Sequence, residues 1–376
     1  MHRAARIRFL GRSLASSLVS IAGLAACSLR SRFKRPVPGD YARIAVVQTG
    51  HLGDLVLTLP IISSLRKMHP EAKITFIVGE WGREAAESFA PEAEVVSYYP
   101  RKYRRGNVVI APAPSMLEYD LIIHLRGDFK LVARYFLNIK AVFLYGLARG
   151  NLRRSFLFHA GISEMRVVPE HQYQTFRNMM LKIGITLPER PEIDIKKEWA
   201  DSLSGLLDER WLASGKIAVL HPGAPWDQRR WPAERFRLAG EALAEGGFRV
   251  FVIGAPSESG LSEYFGEGFF NLIGKLDLRQ LAALLASCEI YIGNDSGPAH
   301  LAAAAGAAVI VMYGPQETEV FGALAWHRIW LDAKRPCSPC WQRSCVLEYE
   351  GCLSSISVAD VAHALEMLLL RKTECA

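Results

Sequence analysis

Low-complexity tracts and internal repeats are both missing from this sequence of 376 residues, and only 22% of its residues are charged. Half of the residues are hydrophobic, so a disordered protein is excluded and a globular one is expected. A chain of this length is too long for one ordinary hydrophobic core. We therefore expect two or three domains.

Acidic residues are absent from residues 1–39, which carry all of the chain's net positive charge. This segment has eight arginines and lysines, and the net charge of the whole chain is +7. The remaining residues are therefore close to neutral. Because a nucleic-acid-binding domain normally carries a basic patch, no nucleic-acid partner is expected for the globular part.

The N-terminal segment also lacks a long hydrophobic run, because its uncharged stretch from Ser13 to Leu29 is short and rich in serine. Its apolar residues recur at helical spacing between cationic ends, as in an amphipathic helix on an anionic membrane surface. A signal peptide with the lipoprotein-like Leu24-Ala-Ala-Cys27 and a disordered leader are the alternatives. Since the basic cluster at 30–35 opposes export, residues 1–40 are predicted to be a membrane-surface or anchor segment.

Cysteine is scarce except near the C-terminus, where four of the seven cysteines have the spacing C-x2-C-x4-C-x6-C. Close spacing of this kind can form a structural zinc site, whereas disulfides are not expected in a cytosolic protein. No second C-x2-C pair is present, so a metal-free, cysteine-rich loop is an equal alternative. The candidate zinc ligands are Cys337, Cys340, Cys345 and Cys352.

Short apolar runs alternate with helical patterns after residue 40. The predicted strands are 43–48, 73–78, 95–98, 121–125, 141–145, 217–221, 249–253, 289–292 and 308–313. The main predicted helices are 53–69, with a break near Pro60, and 233–245, 278–287, one from 297, and 357–370. This alternation predicts an α/β fold with parallel sheets.

The proline-rich stretch 184–195 predicts a linker between two such halves. We therefore expect domains at 41–190 and 191–355, with a closing helix in 356–376. Two doubly wound, Rossmann-like halves in tandem predict a ligand cleft between them, at the carboxyl ends of the strands.

The first strand ends in the turn Gln48-Thr-Gly-His-Leu-Gly-Asp54, which has neither G-x-G-x-x-G glycines nor a P-loop lysine. A standard dinucleotide or NTPase site is therefore disfavoured. Asp54 falls in the first turn of the next helix, where it is a candidate general base. The alternative is an acid that only complements the helix dipole.

Two later strand-to-helix junctions carry candidate phosphate ligands. The loop 221–232 holds two adjacent arginines between two tryptophans, which either clamp a phosphate or stack on the rings at the surface. The turn Gly293-Asn-Asp-Ser-Gly-Pro-Ala-His300 opens a helix whose amides can hold an anion. The alternative for this turn is a capping acid and a core histidine. Together the two junctions suggest a diphosphate site.

In their order along the chain, these motifs resemble glycosyltransferase family 9, the ADP-heptose:lipopolysaccharide heptosyltransferases. The resemblance rests on "QTGHLGDLVLTLPIISSLRKMHPEAKITFIV", "HPGAPWDQRRWPAERF", "IGAPSE" and "GNDSGPAHLAAAAGAAVIVMYGP", and it runs from about residue 43 to 370. It implies a GT-B fold of two Rossmann-like domains that face each other across a cleft, with the acceptor side first. It also implies inverting sugar transfer that needs no metal or other cofactor for catalysis.

The resemblance implies roles for individual residues as well. Asp54 matches the family's proposed general base, and its supporting turn consists of Thr49, Gly50 and Gly53. The implied donor-binding residues are Arg229, Glu258, Asp295, Ser296, Gly297 and His300. The implied donor is a nucleotide diphosphate sugar, with ADP-heptose favoured. The implied acceptor is a lipopolysaccharide core or other lipid-linked glycan at the cytoplasmic face of the inner membrane.

Two positions depart from the family pattern. Arg229 stands where a lysine usually precedes R-W-P, and Gln48 stands where a basic residue commonly follows the first strand. Both changes bear on sugar specificity more than on the class of reaction. The alternatives to a transferase are a sugar-nucleotide epimerase on the same fold, which needs no acceptor, and a non-catalytic membrane-associated glycan-assembly protein. The presence of Asp54 favours an enzyme.

Overall fold

The computed structural model describes residues 39, 41–98, 119–126, 142–145, 170–207, 215–340 and 351–374. The predicted membrane-surface segment, apart from residue 39, and Cys345 of the cysteine cluster lie outside these ranges. Within them, no helix combines the length and the apolar character that crossing a bilayer requires.

The described residues form two compact units. The first comprises the residues up to Gly50 and from Ile61 to Leu187, and the second comprises 51–60 and the residues from Pro188 onward. The boundary at 187 lies close to the expected one at 190. The short segment 51–60, which includes Asp54, groups with the second unit.

The predicted helix at 53–69 is in fact two helices, α1 (Leu52–Val56) and α2 (Leu59–Met68). Pro60 lies in the first turn of α2, where its missing N–H costs no hydrogen bond. The hydroxyl of Thr58 donates to the carbonyl of Asp54 at 2.8 Å, at the end of α1. The break therefore makes the helix that carries Asp54 a short element of its own.

The first unit is built on a parallel sheet in the order β3-β2-β1-β4-β5. Its strands are β1 (Arg43–Gln48), β2 (Lys73–Gly79), β3 (Glu94–Tyr98), β4 (Leu121–Arg126) and β5 (Val142–Tyr145). Its other described helices are α3 (Arg83–Phe89) and α4 (Gln172–Leu181). The apolar runs of β1 and β2 are almost fully buried, as expected for inner strands of a parallel sheet.

The second unit contains a six-stranded parallel sheet in the order β11-β10-β9-β6-β7-β8. Its strands are β6 (Lys216–His221), β7 (Phe248–Val252), β8 (Phe269–Asn271), β9 (Ile290–Asn294), β10 (Ala308–Tyr313) and β11 (Arg328–Asp332). Counted within the unit, this is the 3-2-1-4-5-6 order of a Rossmann fold. The sequence patterns did not predict β8 and β11, because these edge strands are only half-buried and lack a long apolar run.

Six helices accompany this sheet in the described ranges from Pro188 onward. They are α5 (Lys197–Ser204), α6 (Ala233–Glu245), α7 (Leu278–Ser287), α8 (Gly297–Ala304), α9 (Thr318–Phe321) and α10 (Val358–Glu374). Six of the eight residues of α8 are buried and four of these six are alanine, so this helix can approach its neighbours closely. The amide of Ile193, in the predicted linker, donates to Ala304 at the end of α8.

Candidate active site

The strand order of the second sheet reverses between β6 and β9. His221, the last residue of β6, is in register with Gly293 of β9. The loops that follow these two strands therefore lie side by side, as at the ligand-binding reversal point of other doubly wound sheets. One is the arginine loop (222–232), and the other is the turn 295–296 that leads into α8.

Asn294 holds the arginine loop in place from the end of β9. Its amide nitrogen donates to the carbonyl of Pro222 at 2.9 Å, and its amide oxygen accepts from the N–H of Trp231 at 2.9 Å. Asn294 is fully buried, and the indole of Trp231 donates to the carbonyl of Ile356 at 2.8 Å. Both ends of the loop are thus fixed. Asn294 was not among the predicted site residues. The signal that could have identified it is a polar residue at the end of an apolar strand.

A buried ion pair joins the two loops. Arg229 Nη1 lies 3.1 Å from Asp295 Oδ2, and only 6% of the Asp295 side chain is exposed. Burial raises the pKa of Asp295 to about 6, opposed by the positive charge of Arg229 and assisted by the negative charge of Asp54. Asp54 therefore lies close enough to act on Asp295 electrostatically, and the site combines two carboxylates with one guanidinium.

Replacing Asp295 with asparagine is expected to change how stability depends on pH. The folded protein binds the proton of Asp295 at about pH 6 and the unfolded chain near 3.8. Protonated Asp295 thus contributes stability that is present below 3.8 and lost as the pH rises through 6. The unfolding free energy of Asp295→Asn minus that of wild type should therefore increase by up to about 3 kcal/mol from pH 4 to pH 7. Urea unfolding at a series of pH values measures this difference.

Asp360 provides a control of opposite sign. The hydrogen bonds from Ser357 hold the pKa of this exposed carboxyl below its usual value, so Asp360→Asn should lose stability relative to wild type as the pH rises. A difference between Asp295→Asn and wild type that is the same at every pH would contradict the raised pKa.

The amino end of α8 offers backbone amides to an anion. Ser296 precedes the helix, but its hydroxyl donates to the carbonyl of Asn294 at 3.0 Å instead of capping the helix. Among the described residues no side chain caps α8, and Pro298 has no N–H to offer. The N–H groups at Gly297 and Ala299 are therefore placed to bind a negatively charged group, which the helix dipole also favours.

Two glycines allow α1 to approach α8. A Cβ atom on Gly53 would lie 2.7 Å from Cδ2 of His300, and one on Gly297 would lie 2.7 Å from Cβ of Leu52. Asp54 follows Gly53 directly, and its Oδ2 accepts from the N–H of His51 at 3.0 Å. The oriented carboxylate of Asp54 is thus placed directly after Gly53, the residue of α1 that approaches His300.

Gly53→Ala is expected to lower the unfolding free energy by about 1–3 kcal/mol, because the added methyl group must displace the imidazole of His300. Thermal or urea unfolding measures the effect. Gly260→Ala is the matched control, since a Cβ at that position meets nothing within 4 Å, and it should change stability by less than about 0.5 kcal/mol. Equal effects of the two substitutions would contradict the described packing of α1 on α8.

Glu258 reaches the site from the segment after β7. Its Oε2 accepts from the N–H of Ala255 at 2.8 Å and lies 3.5 Å from Nε2 of His221. A Cβ on Gly223 would fall 2.0 Å from Oε1, so a side chain at this position would displace the carboxylate of Glu258. Burial opposes ionisation of Glu258, but the hydrogen bond and charge of His221, with Ala255 and Arg230, outweigh it and lower the pKa of Glu258.

The supporting turn begins in the first unit, at the carboxyl end of β1. The N–H of Thr49 donates to the carbonyl of Arg126 at 2.9 Å, and the indole of Trp81 donates to the carbonyl of Gly50 at 2.8 Å. The buried side chain of Gln48 accepts from the N–H of Gly50 at 3.0 Å. A lysine at position 48 has no acceptor atom. Gln48 therefore has a structural role in this turn that the basic residue of the family pattern cannot perform.

The cysteine cluster is only partly described. Cys337 is exposed, Cys340 is half-buried, and Cys352 is buried next to Gly314. The described part of the chain contains no group of three or more potential metal ligands, and Cys345 lies outside it. A structural zinc site is therefore not shown, and it stays a prediction.

A comparison with known families decides the class of this protein. A family model described as glycosyltransferase family 9 (heptosyltransferase) matches residues 116–350, more than half of the chain. The chain belongs to glycosyltransferase family 9. The resemblance inferred from the motifs is confirmed, and the protein is a glycosyltransferase.

Individual members of the family resemble the chain over most of its length. Lipopolysaccharide heptosyltransferase 1 of Escherichia coli O18:K1:H7 is 25% identical over 297 residues, which cover 74% of this chain and 88% of the relative. A family 9 glycosyltransferase of Veillonella parvula has a TM-score of 0.67 at 23% identity, with 90% of this chain and 100% of that chain covered.

The Escherichia coli heptosyltransferase WaaC, solved with ADP, has a TM-score of 0.62 at 22% identity. The match covers 87% of this chain and 99% of WaaC. The solved structures confirm the expected GT-B fold with two Rossmann-like domains for this family 9 member.

Proposed function

We propose that this family 9 enzyme transfers a heptose, or a closely related sugar, from an ADP-sugar to a lipopolysaccharide core or other lipid-linked glycan, with inversion at the anomeric carbon. A relative named lipopolysaccharide heptosyltransferase 1 and a related structure solved with ADP support these substrates. The observation that carries the proposal is the buried pair of Arg229 and Asp295 at the uncapped start of α8, within electrostatic reach of Asp54.

The donor's diphosphate lies on the amides at the start of α8 and on Arg229. A bare phosphate would be repelled by a neighbouring carboxylate, but a sugar nucleotide also carries hydroxyl groups. Asp295 accepts hydrogen bonds from those hydroxyls while Arg229 balances its charge. In the reaction, the guanidinium and the helix dipole stabilise the negative charge that develops on the leaving ADP.

Asp54 acts as the general base. Its carboxylate takes the proton of the acceptor hydroxyl as the hydroxyl oxygen attacks the anomeric carbon. The bond from that carbon to the diphosphate oxygen breaks, and ADP leaves with the bonding electron pair. Because attack and departure occur on opposite faces of the sugar, the product has the inverted configuration.

Glu258 recognises the nucleoside part of the donor. Its carboxylate keeps a low pKa although only 12% of the side chain is exposed, so it stays an acceptor for ribose hydroxyls. This assignment places the nucleoside beside β7 and the diphosphate beside β9. The basic segment 1–40 would hold the enzyme at the cytoplasmic face of the inner membrane, where a lipid-linked acceptor is found.

A donor screen tests the proposal. We expect an ADP-sugar at 100 times its Kd to stabilise the purified protein by about 2.7 kcal/mol in a thermal-shift assay, and GDP-, UDP- and dTDP-sugars to stabilise it less. Transfer of radiolabelled heptose should then require a heptose-deficient lipopolysaccharide acceptor. A new nucleotide sugar formed without any acceptor, or stabilisation by none of the four donors, would contradict the proposed function.

A further inference from the structure

His221 ends β6 at the point where the strand order reverses, and it is only 4% exposed. The general-base and donor-binding roles above do not use it. Both of its ring nitrogens nevertheless face residues of the proposed donor site, one on each side of the ring.

The Nδ1 side of the ring faces Ser296. Nδ1 lies 3.1 Å from the Ser296 hydroxyl, and that hydroxyl lies 3.0 Å from the carbonyl of Asn294. The hydroxyl can give its single proton to that carbonyl or to Nδ1, and its oxygen can also accept a proton from Nδ1. The contact between His221 and Ser296 therefore forms with either arrangement of the ring protons.

The Nε2 side of the ring faces Glu258. Nε2 lies 3.5 Å from Oε2 of Glu258, and the side chains are only 5% and 12% exposed. A ring with its proton on Nδ1 alone would turn a lone pair toward the carboxylate. A proton on Nε2 lets the ring donate toward Glu258 and satisfies the buried carboxylate.

Resting on the proposed function, we propose that His221 is a positioning residue of the donor site, tying Glu258 to Ser296 through one hydrogen bond at each ring nitrogen. Glu258 follows β7 and Ser296 follows β9, and His221 ends β6, the strand that lies between them in the sheet. The ring thereby fixes the spacing between the acid that binds the nucleoside and the turn that binds the diphosphate. Since His221 acts through these two residues, its loss weakens donor binding more than the chemical step.

Substitution of His221 tests this role. His221→Gln keeps a hydrogen-bonding group but places it on a flexible chain in place of the rigid ring, and in His221→Ala neither bond forms. We expect the donor KM to rise about 10-fold in His221→Gln and further in His221→Ala, with kcat reduced less than about threefold. His363→Ala, which removes an exposed histidine of α10, should leave both constants unchanged.

Nitrogen-15 NMR of ligand-free wild-type protein provides a readout that does not depend on activity or on the stability of a variant. We expect Nε2 of His221 to carry a proton that is shared with the carboxylate of Glu258. A ring with no proton on Nε2, or an unchanged donor KM in both variants, would overturn the positioning role. Failure of wild-type protein to bind any nucleotide sugar would instead reject the proposed function, and the NMR result would still decide the arrangement of His221.

Discussion

Asp54→Asn lowers kcat for sugar transfer by about 1,000-fold, while the donor Kd stays within about threefold of wild type. The asparagine amide oxygen can still accept from the N–H of His51, so the turn is preserved. It cannot take a proton from the acceptor. The substitution also removes a negative charge that acts on Asp295, so it adds no electrostatic repulsion against the anionic donor. Steady-state kinetics and isothermal titration with the donor separate the two effects.

Glu234→Gln is the matched control for Asp54→Asn. Glu234 is an exposed acid in the first turn of α6, so this substitution also removes an interaction with a helix dipole, worth about 0.3–1 kcal/mol. We expect a small loss of stability and normal turnover. Near-normal turnover in Asp54→Asn would remove Asp54 from the mechanism and leave it as an acid that only starts a helix.

Arg229→Ala lowers kcat/KM for the donor by about 100- to 1,000-fold. The substitution removes the cation that faces the leaving diphosphate, and it leaves the buried carboxylate of Asp295 without its partner at 3.1 Å. Arg229→Lys, which introduces the residue usual in the family, should recover much of the activity. It keeps the charge but loses the planar fork that pairs with carboxylate and phosphate. Donor-dependent kinetics of the two variants measure the difference.

The neighbouring arginine tests whether position or charge alone matters. Arg230 pairs with Asp227, whose side chain is 87% exposed, and donates to the carbonyl of Ala224. Because this pair is largely solvated, Arg230→Ala should lower kcat/KM less than about fivefold. Equal losses in Arg229→Ala and Arg230→Ala would contradict a specific role for Arg229.

The sequence predicted the inner strands well. Inner strands of parallel sheets, such as β1, β9 and β10, are buried on both faces and therefore read as continuous apolar runs. The break near Pro60 follows from the missing N–H of proline. The pairing of the arginine loop with the turn before α8 follows from the topology, because both loops leave the same edge of the sheet.

Contacts between residues far apart in the chain could not be predicted in this way. His221 and Ser296 are 75 residues apart, and Trp231 and Asn294 are 63 apart. No periodicity or turn signal links such positions. The close approach of Gly223 to the carboxylate of Glu258 depends likewise on a residue from another junction. Residues 51–60 group with the second unit because glycines allow α1 to pack against α8. The helical pattern of α1 does not reveal this packing.

A crystal structure with ADP-2-deoxy-2-fluoro heptose would test most directly whether the donor occupies the site built around α8. We expect the diphosphate oxygens within about 3 Å of the first amides of α8 and of Arg229. The sugar hydroxyls should contact Asp295, and the face of the anomeric carbon opposite the diphosphate should be open toward Asp54. A diphosphate bound away from α8, or Asp54 on the same face of the sugar as the leaving group, would contradict the proposed transfer.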